Sequence, residues 1–261
     1  GAYKIKPKEL TLNFSTRFDK TYDGNANVTQ SLTKGTNYNL NGFVTGEGTD
    51  IELSAITGKY ADKNAARDKA VTFGGLTLTG TGAGNYRIAA VQGAGSITAK
   101  QLNLALTGGA RFDKTYDGNA NVTQTLTKGT HYTLTGFVGT EGTGIELSSA
   151  TGKYTDKNAG TDKNVRFDGL RLTGAGADNY APDKTTLTGT GTIARRALTL
   201  GAVEAQTKTY DGTTAADAGK FRAALTNAIA GDSVAATATG AAYNSKDVAT
   251  ANAVGYTGVA L

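Results

Sequence analysis

The residues of this chain that could do chemistry occur in three near-copies. A Tyr-Asp-Gly block recurs with its tyrosines at positions 22, 116 and 210, so that successive copies are 94 residues apart. Asp-Gly is typical of a tight turn, because glycine accepts a positive φ, and the aspartate is expected to cap that turn through an Asx-type bond. The motif residues are Tyr22, Asp23, Gly24, Tyr116, Asp117, Gly118, Tyr210, Asp211 and Gly212.

The recurring tyrosine has two interpretations. In the first, its ring packs in the core and its hydroxyl bonds a neighbouring loop, as buried tyrosines commonly do. In the second, the ring is exposed and stacks on a sugar. The first interpretation is favoured.

Acid–base catalysis would require carboxylates that recur together. Two copies contain such a pair, whereas the third has only Asp232 in that region. The pairs are Glu47 with Glu52 and Glu141 with Glu146. Of these, Glu52 and Glu146 are the only repeated positions that would merit a test of catalysis. The incomplete recurrence predicts a protein that is not an enzyme and that has no cofactor.

Other reactive groups are absent or drift between copies. The single histidine, His131, stands where the first copy has Asn37. A Ser-His-Asp triad or an ordinary zinc site in each copy is therefore excluded. The chain has no cysteine, which excludes disulfides, thiolate metal sites and a cysteine nucleophile. We predict neither a metal site nor catalytic residues.

Two stabilising chemistries stay open as alternatives. Lysine followed by Asn or Asp supplies parts of an intramolecular isopeptide bond, although sequence neighbours do not readily face each other across a core, and a capped polar turn is the simpler interpretation. The pairs are Lys63-Asn64, Lys157-Asn158 and Lys246-Asp247. Calcium would need several oxygens at one point. Asp23, Glu52 and Asp62 could supply them only by folding together.

Composition limits the partners. Glycine contributes 36 of the 261 residues and proline only 2, which with abundant Thr, Val and Leu is typical of short strands joined by tight turns. The net charge is +5, but acids and bases alternate along the chain without a basic stripe, so no nucleic-acid partner is expected. No apolar run of 18 residues occurs, and no membrane span is predicted.

Alternating apolar residues predict the strands that carry these motifs. Leu10, Leu12 and Phe14 open the first copy with a period of two, which marks a strand with one buried face. A 94-residue period exceeds that of solenoids and suffices for a small domain. We therefore predict an all-β chain of tandem small domains, sandwich-like or β-grasp-like, in an elongated array.

The ordered blocks define the domain boundaries. Residues 97–100 run directly into 101–104 without a Gly, Ser or Pro linker, which predicts a semi-rigid connection. One segment, 215–230, is rewritten, and its apolar spacing fits a short helix about as well as strands. The predicted domains are the tail of a preceding repeat at 1–9, repeat 1 at 10–100, repeat 2 at 101–196 and a C-terminally incomplete repeat 3 at 197–261.

The ordered blocks resemble the YDG-type repeat of filamentous-haemagglutinin-like adhesins of Gram-negative bacteria. The residues that carry the resemblance are 20–24, 60–64 and 85–86, with their copies at 114–118, 154–158 and 179–180. Repeat 3 departs from the pattern. The resemblance implies a secreted or surface-exposed protein, exported by two-partner secretion through an outer-membrane pore, and it implies no catalytic residues.

Two functions are consistent with these features of the sequence. The first is a structural stalk that holds an adhesive tip away from the cell, because near-copies with short connections and no repeated catalytic set are typical of spacers. The second is a module that itself binds glycan or matrix ligands, with avidity from repetition. The candidate ligand-binding residues are Tyr38, Asn85, Tyr86, Tyr132, Asn179 and Tyr180. We expect the segment itself to be monomeric.

Overall fold

The computed structural model describes residues 3–54 and 56–261. Gly1 and Ala2, which belong to the predicted tail of a preceding repeat, lie outside the described residues, as does Ala55. The predicted all-β class and the tandem small β domains are confirmed. The described residues form 22 strands and three single-turn 3₁₀ helices.

Repeat 1 builds two sheets and a separate two-stranded ladder. Its strands are β1 (Lys8–Phe14), β2 (Lys20–Thr21), β3 (Tyr38–Asn41), β4 (Glu52–Leu53), β5 (Thr57–Tyr60), β6 (Ala66–Gly74), β7 (Leu78–Thr79), β8 (Tyr86–Ile88) and β9 (Gln92–Thr98). A 3₁₀ turn, Ala83–Asn85, precedes β8. The sheets have the strand orders β3-β1-β8 and β2-β9-β6-β5, and β4 pairs with β7. Both sheets are mixed, because β1 pairs parallel with β8 and β2 parallel with β9.

Repeat 2 reproduces this topology strand for strand. Its strands are β10 (Lys100–Leu106), β11 (Lys114–Thr115), β12 (Tyr132–Thr135), β13 (Glu146–Leu147), β14 (Gly152–Tyr154), β15 (Gly160–Phe167), β16 (Leu172–Thr173), β17 (Tyr180–Pro182) and β18 (Leu187–Ala194). The orders are β12-β10-β17 and β11-β18-β15-β14, and β13 pairs with β16. A 3₁₀ turn, Ala177–Asn179, precedes β17. Only Ala99 separates β9 from β10, as the direct connection in the sequence predicts.

Repeat 3 keeps two antiparallel pairs. Its strands are β19 (Thr199–Val203), β20 (Ala223–Thr226), β21 (Gly240–Tyr243) and β22 (Val254–Thr257). β19 pairs with β20, and β21 with β22. The helix considered for 215–230 is wrong: this segment holds a β-bridge from Ala215 to Ala242, the 3₁₀ turn Ala218–Lys220 and strand β20. Strand pairing overrides the alanine-rich helix propensity, since Leu225 lies opposite Leu200 and the buried Phe221 ring contacts Tyr256.

The chain divides into two compact units that each combine segments of neighbouring repeats. The first unit comprises Gly1–Ala110, Leu126–Ala150 and Asp168–Leu187. The second comprises Arg111–Thr125, Thr151–Phe167 and Thr188–Leu261. Each unit therefore contains one place where consecutive repeats touch.

Strand periodicity places the core side chains. In β1, Leu10 and Leu12 are buried while Thr11 and Asn13 are exposed, which is the predicted alternation. Leu12 packs with Tyr38 and Leu40 from β3 in the first unit. In the second unit the rings of Phe112 and Phe167 are buried, and their centroids lie 4.8 Å apart. Each such side chain contributes about 1.5–3 kcal/mol by leaving water.

Candidate functional site at the contacts between repeats

The Tyr-Asp-Gly turn is held by the lysine that precedes it. Lys20 buries its side chain and donates from Nζ to the Asp23 carboxylate at 2.7 Å and to the carbonyls of Asn25 and Asn27 at 2.8 and 2.9 Å. A buried ammonium is stable only when such acceptors surround it. The lysine of the motif is therefore a structural tie inside one loop.

The same tie forms in the other two copies. Lys114 Nζ reaches Asp117 at 2.6 Å, and Lys208 Nζ reaches Asp211 at 2.8 Å. The lysine side chain is 3% exposed in repeat 2 but 27% exposed in repeat 3. Repeat 3 therefore forms the same loop, but the lysine side chain is less buried there.

The motif aspartate makes the predicted Asx-type bond. The Asp23 carboxylate accepts the Asn25 amide at 3.1 Å, and Asp117 and Asp211 accept the amide two residues on in the same way. Burial raises the pKa of Asp23, but Lys20 and the Asn25 amide outweigh it, so the pKa is lowered overall. The hydrogen bond from Lys208, followed by the bonds from Thr213, lowers the pKa of Asp211 to about 2.

The motif tyrosine of repeat 1 points at repeat 2. Tyr22 is 2% exposed, and its hydroxyl donates to both carboxylate oxygens of Glu141 at 2.9 and 3.0 Å. The Tyr180 hydroxyl donates to the same carboxylate at 2.5 Å. The two rings meet edge to face with centroids 5.4 Å apart. The Glu141 carboxylate therefore accepts hydrogen bonds from tyrosines of two consecutive repeats.

A lysine of repeat 1 completes this cluster. Lys63 Nζ lies 3.0 Å from Glu141 Oε1 and 5.9 Å from the centroid of the Tyr22 ring. The hydrogen bond from Tyr180, followed by that from Lys63, lowers the pKa of Glu141. The group is therefore held as a carboxylate at neutral pH, which suits an acceptor of hydrogen bonds and not a general acid.

A second pair of contacts lies beside the cluster. Asn179 is 5% exposed, its Oδ1 accepts the Ala65 amide at 2.7 Å, and its Nδ2 donates to Asn64 Oδ1 at 3.2 Å. Gly24 also belongs here, since a Cβ at this position would lie 2.9 Å from the Val138 side chain. We call this set the first joint, and its side chains are those of Tyr22, Lys63, Asn64, Val138, Glu141, Asn179 and Tyr180.

The second unit contains a simpler version, the second joint, between repeats 2 and 3. The Tyr116 hydroxyl donates to Asp232 Oδ2 at 2.8 Å, and Lys157 Nζ lies 3.5 Å from Asp232 Oδ1. A Cβ on Gly118 would lie 2.7 Å from Ile229, which takes the place that Val138 has in the first joint. The Tyr, Gly and Lys of the motif blocks therefore meet an acid and a branched apolar residue of the following repeat in both places.

The candidate ligand-binding tyrosines are all buried. Tyr38 and Tyr132 are at most 1% exposed, and Tyr86 and Tyr180 at most 6%. The Tyr38 and Tyr132 hydroxyls accept the amides of Leu53 and Leu147. Ring stacking on a sugar requires an accessible face, which none of these rings offers in this conformation. Of the two asparagines, Asn179 is buried in the first joint, whereas Asn85 is exposed.

The structure separates the groups considered for catalysis and crosslinking. Glu52 and Glu146 are exposed on short strands opposite Thr79 and Thr173. Lys63 and Lys157 are ion-paired with acids of the following repeat. Within 3–54 and 56–261, no three His, Cys, Asp or Glu side chains gather as metal ligands would. The described residues contain no helix that is long and apolar enough to cross a membrane.

The partners of the motif were not foreseen from the sequence. Glu141, which could form an acid–base pair with Glu146, is instead the acceptor of the first joint, and Asp232 is the acceptor of the second. The signal was present, since an acid recurs at this place in each copy as Glu47, Glu141 and Asp232. Two of these acids are joint acceptors, whereas Glu47 accepts a hydrogen bond from Tyr86 of its own repeat.

Comparison with known proteins agrees with the repeat structure. The family profile of the YDG domain matches three times, at residues 6–93, 98–187 and 194–261. No curated protein and no solved structure matches the chain.

Proposed function

Because the chain belongs to the YDG domain family, we propose that it is a spacer: a repetitive stalk segment of a large secreted bacterial surface adhesin. In this proposal the repeats hold an adhesive region away from the cell and are not enzymes. Secretion and surface location are part of the proposal, and they rest on the resemblance of the repeats to those of filamentous-haemagglutinin-like adhesins.

One observation carries the spacer proposal. In repeats 1 and 2, recurring side chains of the motif bond to the neighbouring repeat: Tyr22 and Lys63 to Glu141, and Tyr116 to Asp232. A binding module would be expected to keep its recurring polar and aromatic groups accessible. A stalk needs the reverse, since contacts between repeats restrict bending.

Stiffness at the first joint provides a direct test. The chain lacks cysteine, so nitroxide labels can be placed at Thr72→Cys in repeat 1 and Thr133→Cys in repeat 2, which are both exposed. Pulsed electron paramagnetic resonance should give a narrow distance distribution that broadens on Glu141→Ala. The matched control Glu47→Ala, which removes an acid that bonds only within repeat 1, should leave the distribution narrow. A broad distribution in the unmodified protein would contradict a stiff spacer.

A binding screen tests the competing function. The folded, monomeric segment is applied at high micromolar concentration to a glycan array and to common matrix proteins. The spacer proposal expects no saturable binding. Saturable binding that Asn85→Ala abolishes would replace it with a binding module, and this exposed residue is preferable to the buried Tyr86, whose truncation would disturb the core.

A further inference from the structure

Each copy of the motif contains an Asp-Gly bond, a dipeptide that readily isomerises. In this reaction the glycine nitrogen attacks the aspartate side chain, and glycine has no Cβ to hinder the approach. The fold nevertheless requires both residues. Gly24 has a φ of +84°, and a Cβ there would lie 2.9 Å from the Val138 side chain. The Asp23 carboxylate accepts the Asn25 amide that closes the loop. A labile bond therefore lies where the first joint depends on the backbone.

The isomerisation passes through a cyclic imide. The Gly24 nitrogen attacks Asp23 Cγ, a C–N bond forms, and the amide proton leaves with the carboxyl hydroxyl as water. Water then opens the ring at either carbonyl. Opening at Cγ restores aspartate, whereas opening at the backbone carbonyl gives isoaspartate, in which the main chain is one methylene longer. The attack needs a protonated carboxyl group that is free to turn, because a carboxylate is a poor electrophile.

The motif lysine opposes both of these requirements. Lys20 Nζ lies 2.7 Å from Asp23 Oδ1, and the Asn25 amide donates to the same oxygen at 3.1 Å. These two bonds hold the carboxyl group in one orientation. The lysine side chain is only 4% exposed, so its charge acts on the carboxylate with little screening and favours the anion over the neutral acid.

Repeat 2 reproduces this arrangement. Lys114 Nζ lies 2.6 Å from Asp117 Oδ1, and the Asn119 amide donates to that oxygen at 3.2 Å. Burial raises the pKa of Asp117, but the bonds from Lys114 and from the Asn119 amide outweigh it, so that the pKa is lowered overall. The carboxylate form, which does not react, is therefore favoured in both repeats.

We propose that the motif aspartates are sites of spontaneous isomerisation to isoaspartate, and that the lysine three residues before each of them suppresses the reaction. In repeats 1 and 2 these pairs are Lys20 with Asp23 and Lys114 with Asp117. An isoaspartate would lengthen the main chain between the tyrosine and the glycine of a joint and displace both from their partners in the following repeat. This protection does not depend on the repeats acting as a spacer.

The two repeats serve as each other's control in one sample. A Lys20→Met variant is incubated at mildly acidic pH and digested, and its peptides are fragmented by electron transfer, which distinguishes isoaspartate from aspartate. Compared with the unmodified protein, the isoaspartate fraction at Asp23 should rise about tenfold, because a charge-assisted hydrogen bond is lost, and the fraction at Asp117 should not change. Lys114→Met should give the reverse. An unchanged fraction at Asp23 in Lys20→Met would overturn the proposal.

A further variant separates the lysine from the general order of the loop. Asn25→Ala removes the side-chain oxygen that accepts the Asn27 amide at 2.8 Å, but it keeps the bond from Lys20 to Asp23. The isoaspartate fraction at Asp23 should stay near that of the unmodified protein. A rise as large as that in Lys20→Met would overturn the proposal, since loop order and not the lysine would then protect the bond. Circular dichroism checks that both variants keep the fold.

The pH profile of the unmodified protein is a test that requires no variant to fold. Lys20 is the charge that acts on Asp23, and the Tyr60 hydroxyl, on which Asp19 and Asp23 both act, stays neutral because burial raises its pKa. Between about pH 3 and 7, isomerisation at Asp23 should decline at lower pH in the folded protein than in the urea-unfolded chain, because the lysine favours the carboxylate. Identical profiles would overturn the proposal.

Discussion

The first and second joints share the same types of donor residue but differ in their acceptor residues. Each receives a tyrosine, a glycine and a lysine from one repeat and offers an acid and a branched apolar residue from the next. In the first joint the acid is Glu141, which has three donors. In the second it is Asp232, with Tyr116 and Lys157 as its donors. The donor half is constant, and the acceptor half varies.

The two acceptors differ in the groups that surround their carboxylates. The third donor to Glu141 is Tyr180, which comes from the Asn-Tyr turn of its own repeat. Asn179, which lies in this turn, is buried beside the acceptor. In the second joint the tyrosine and lysine of the motif bond a shorter acid, Asp232.

The largest effect should follow the number of tyrosine hydroxyls that donate to each acid. Truncation strands the tyrosine hydroxyls that the acid accepts, whereas an exposed lysine is rehydrated. We expect a loss in the free energy of unfolding of about 3 kcal/mol for Glu141→Ala, which strands Tyr22 and Tyr180, and about 1 kcal/mol each for Asp232→Ala and the control Glu47→Ala, which strand one tyrosine each. Urea unfolding combined with hydrogen exchange measures them. An equal loss at all three sites would break the comparison.

The next largest effect should be a loss of stability of the first unit at alkaline pH. Burial, followed by the hydrogen bond to Glu141, raises the pKa of Tyr180 from 10.0 to about 12. A raised folded-state pKa gives stability that is complete below the unfolded value and is lost as the pH rises through the folded value. The first unit should therefore lose stability between about pH 10 and 12.

The variant Tyr180→Phe isolates this contribution. It should be less stable than the unmodified protein at pH 8, and it should lose less stability between about pH 10 and 12, because one titrating group is gone. Unfolding curves across this range provide the measurement. If both proteins lose the same amount, the Tyr180 hydroxyl does not stabilise the first joint.

Much of the fold follows from local pattern in the sequence. The alternation of Leu10 and Leu12 predicts β1, and the Asp-Gly blocks predict the turns with their Asx-type bonds. The 215–230 segment departs from its local pattern, because the helix propensity of alanine is weak compared with the cross-strand pairing of Leu225 with Leu200. Short-range signals fail where long-range pairing decides the structure.

The joints could be predicted only in part. Recurrence marks Tyr22 and Lys63 as important, but their common partner Glu141 is 119 residues from Tyr22 along the chain. No periodicity connects positions at such a distance. The recurring acid at 47, 141 and 232 was the usable signal, and it became interpretable only when the structure placed it against the tyrosine.

The motif glycine should show a smaller effect that sharpens the comparison. Gly24 and Gly212 both have positive φ, +84° and +78°, so alanine is strained by about 1–2 kcal/mol at either position. At Gly24 the new Cβ would also lie 2.9 Å from the Val138 side chain, whereas at Gly212 nothing lies within 4 Å. Gly24→Ala should therefore cost about 1 kcal/mol more than Gly212→Ala in urea unfolding. Equal costs would show that Val138 yields and that the glycine serves only the turn.

The smallest effect should come from the lysines. Lys63 and Lys157 are about half exposed, with side-chain exposures of 47% and 48%, and their nitrogens lie 3.0 and 3.5 Å from the acids. Exposed ion pairs contribute little to stability and are screened by salt. Lys63→Gln should therefore destabilise the first unit slightly more than Lys157→Gln destabilises the second, and 1 M salt should erase both losses. A loss that persists in high salt would mean that the lysine acts through its stem on the tyrosine ring instead of through its charge, because packing is not screened.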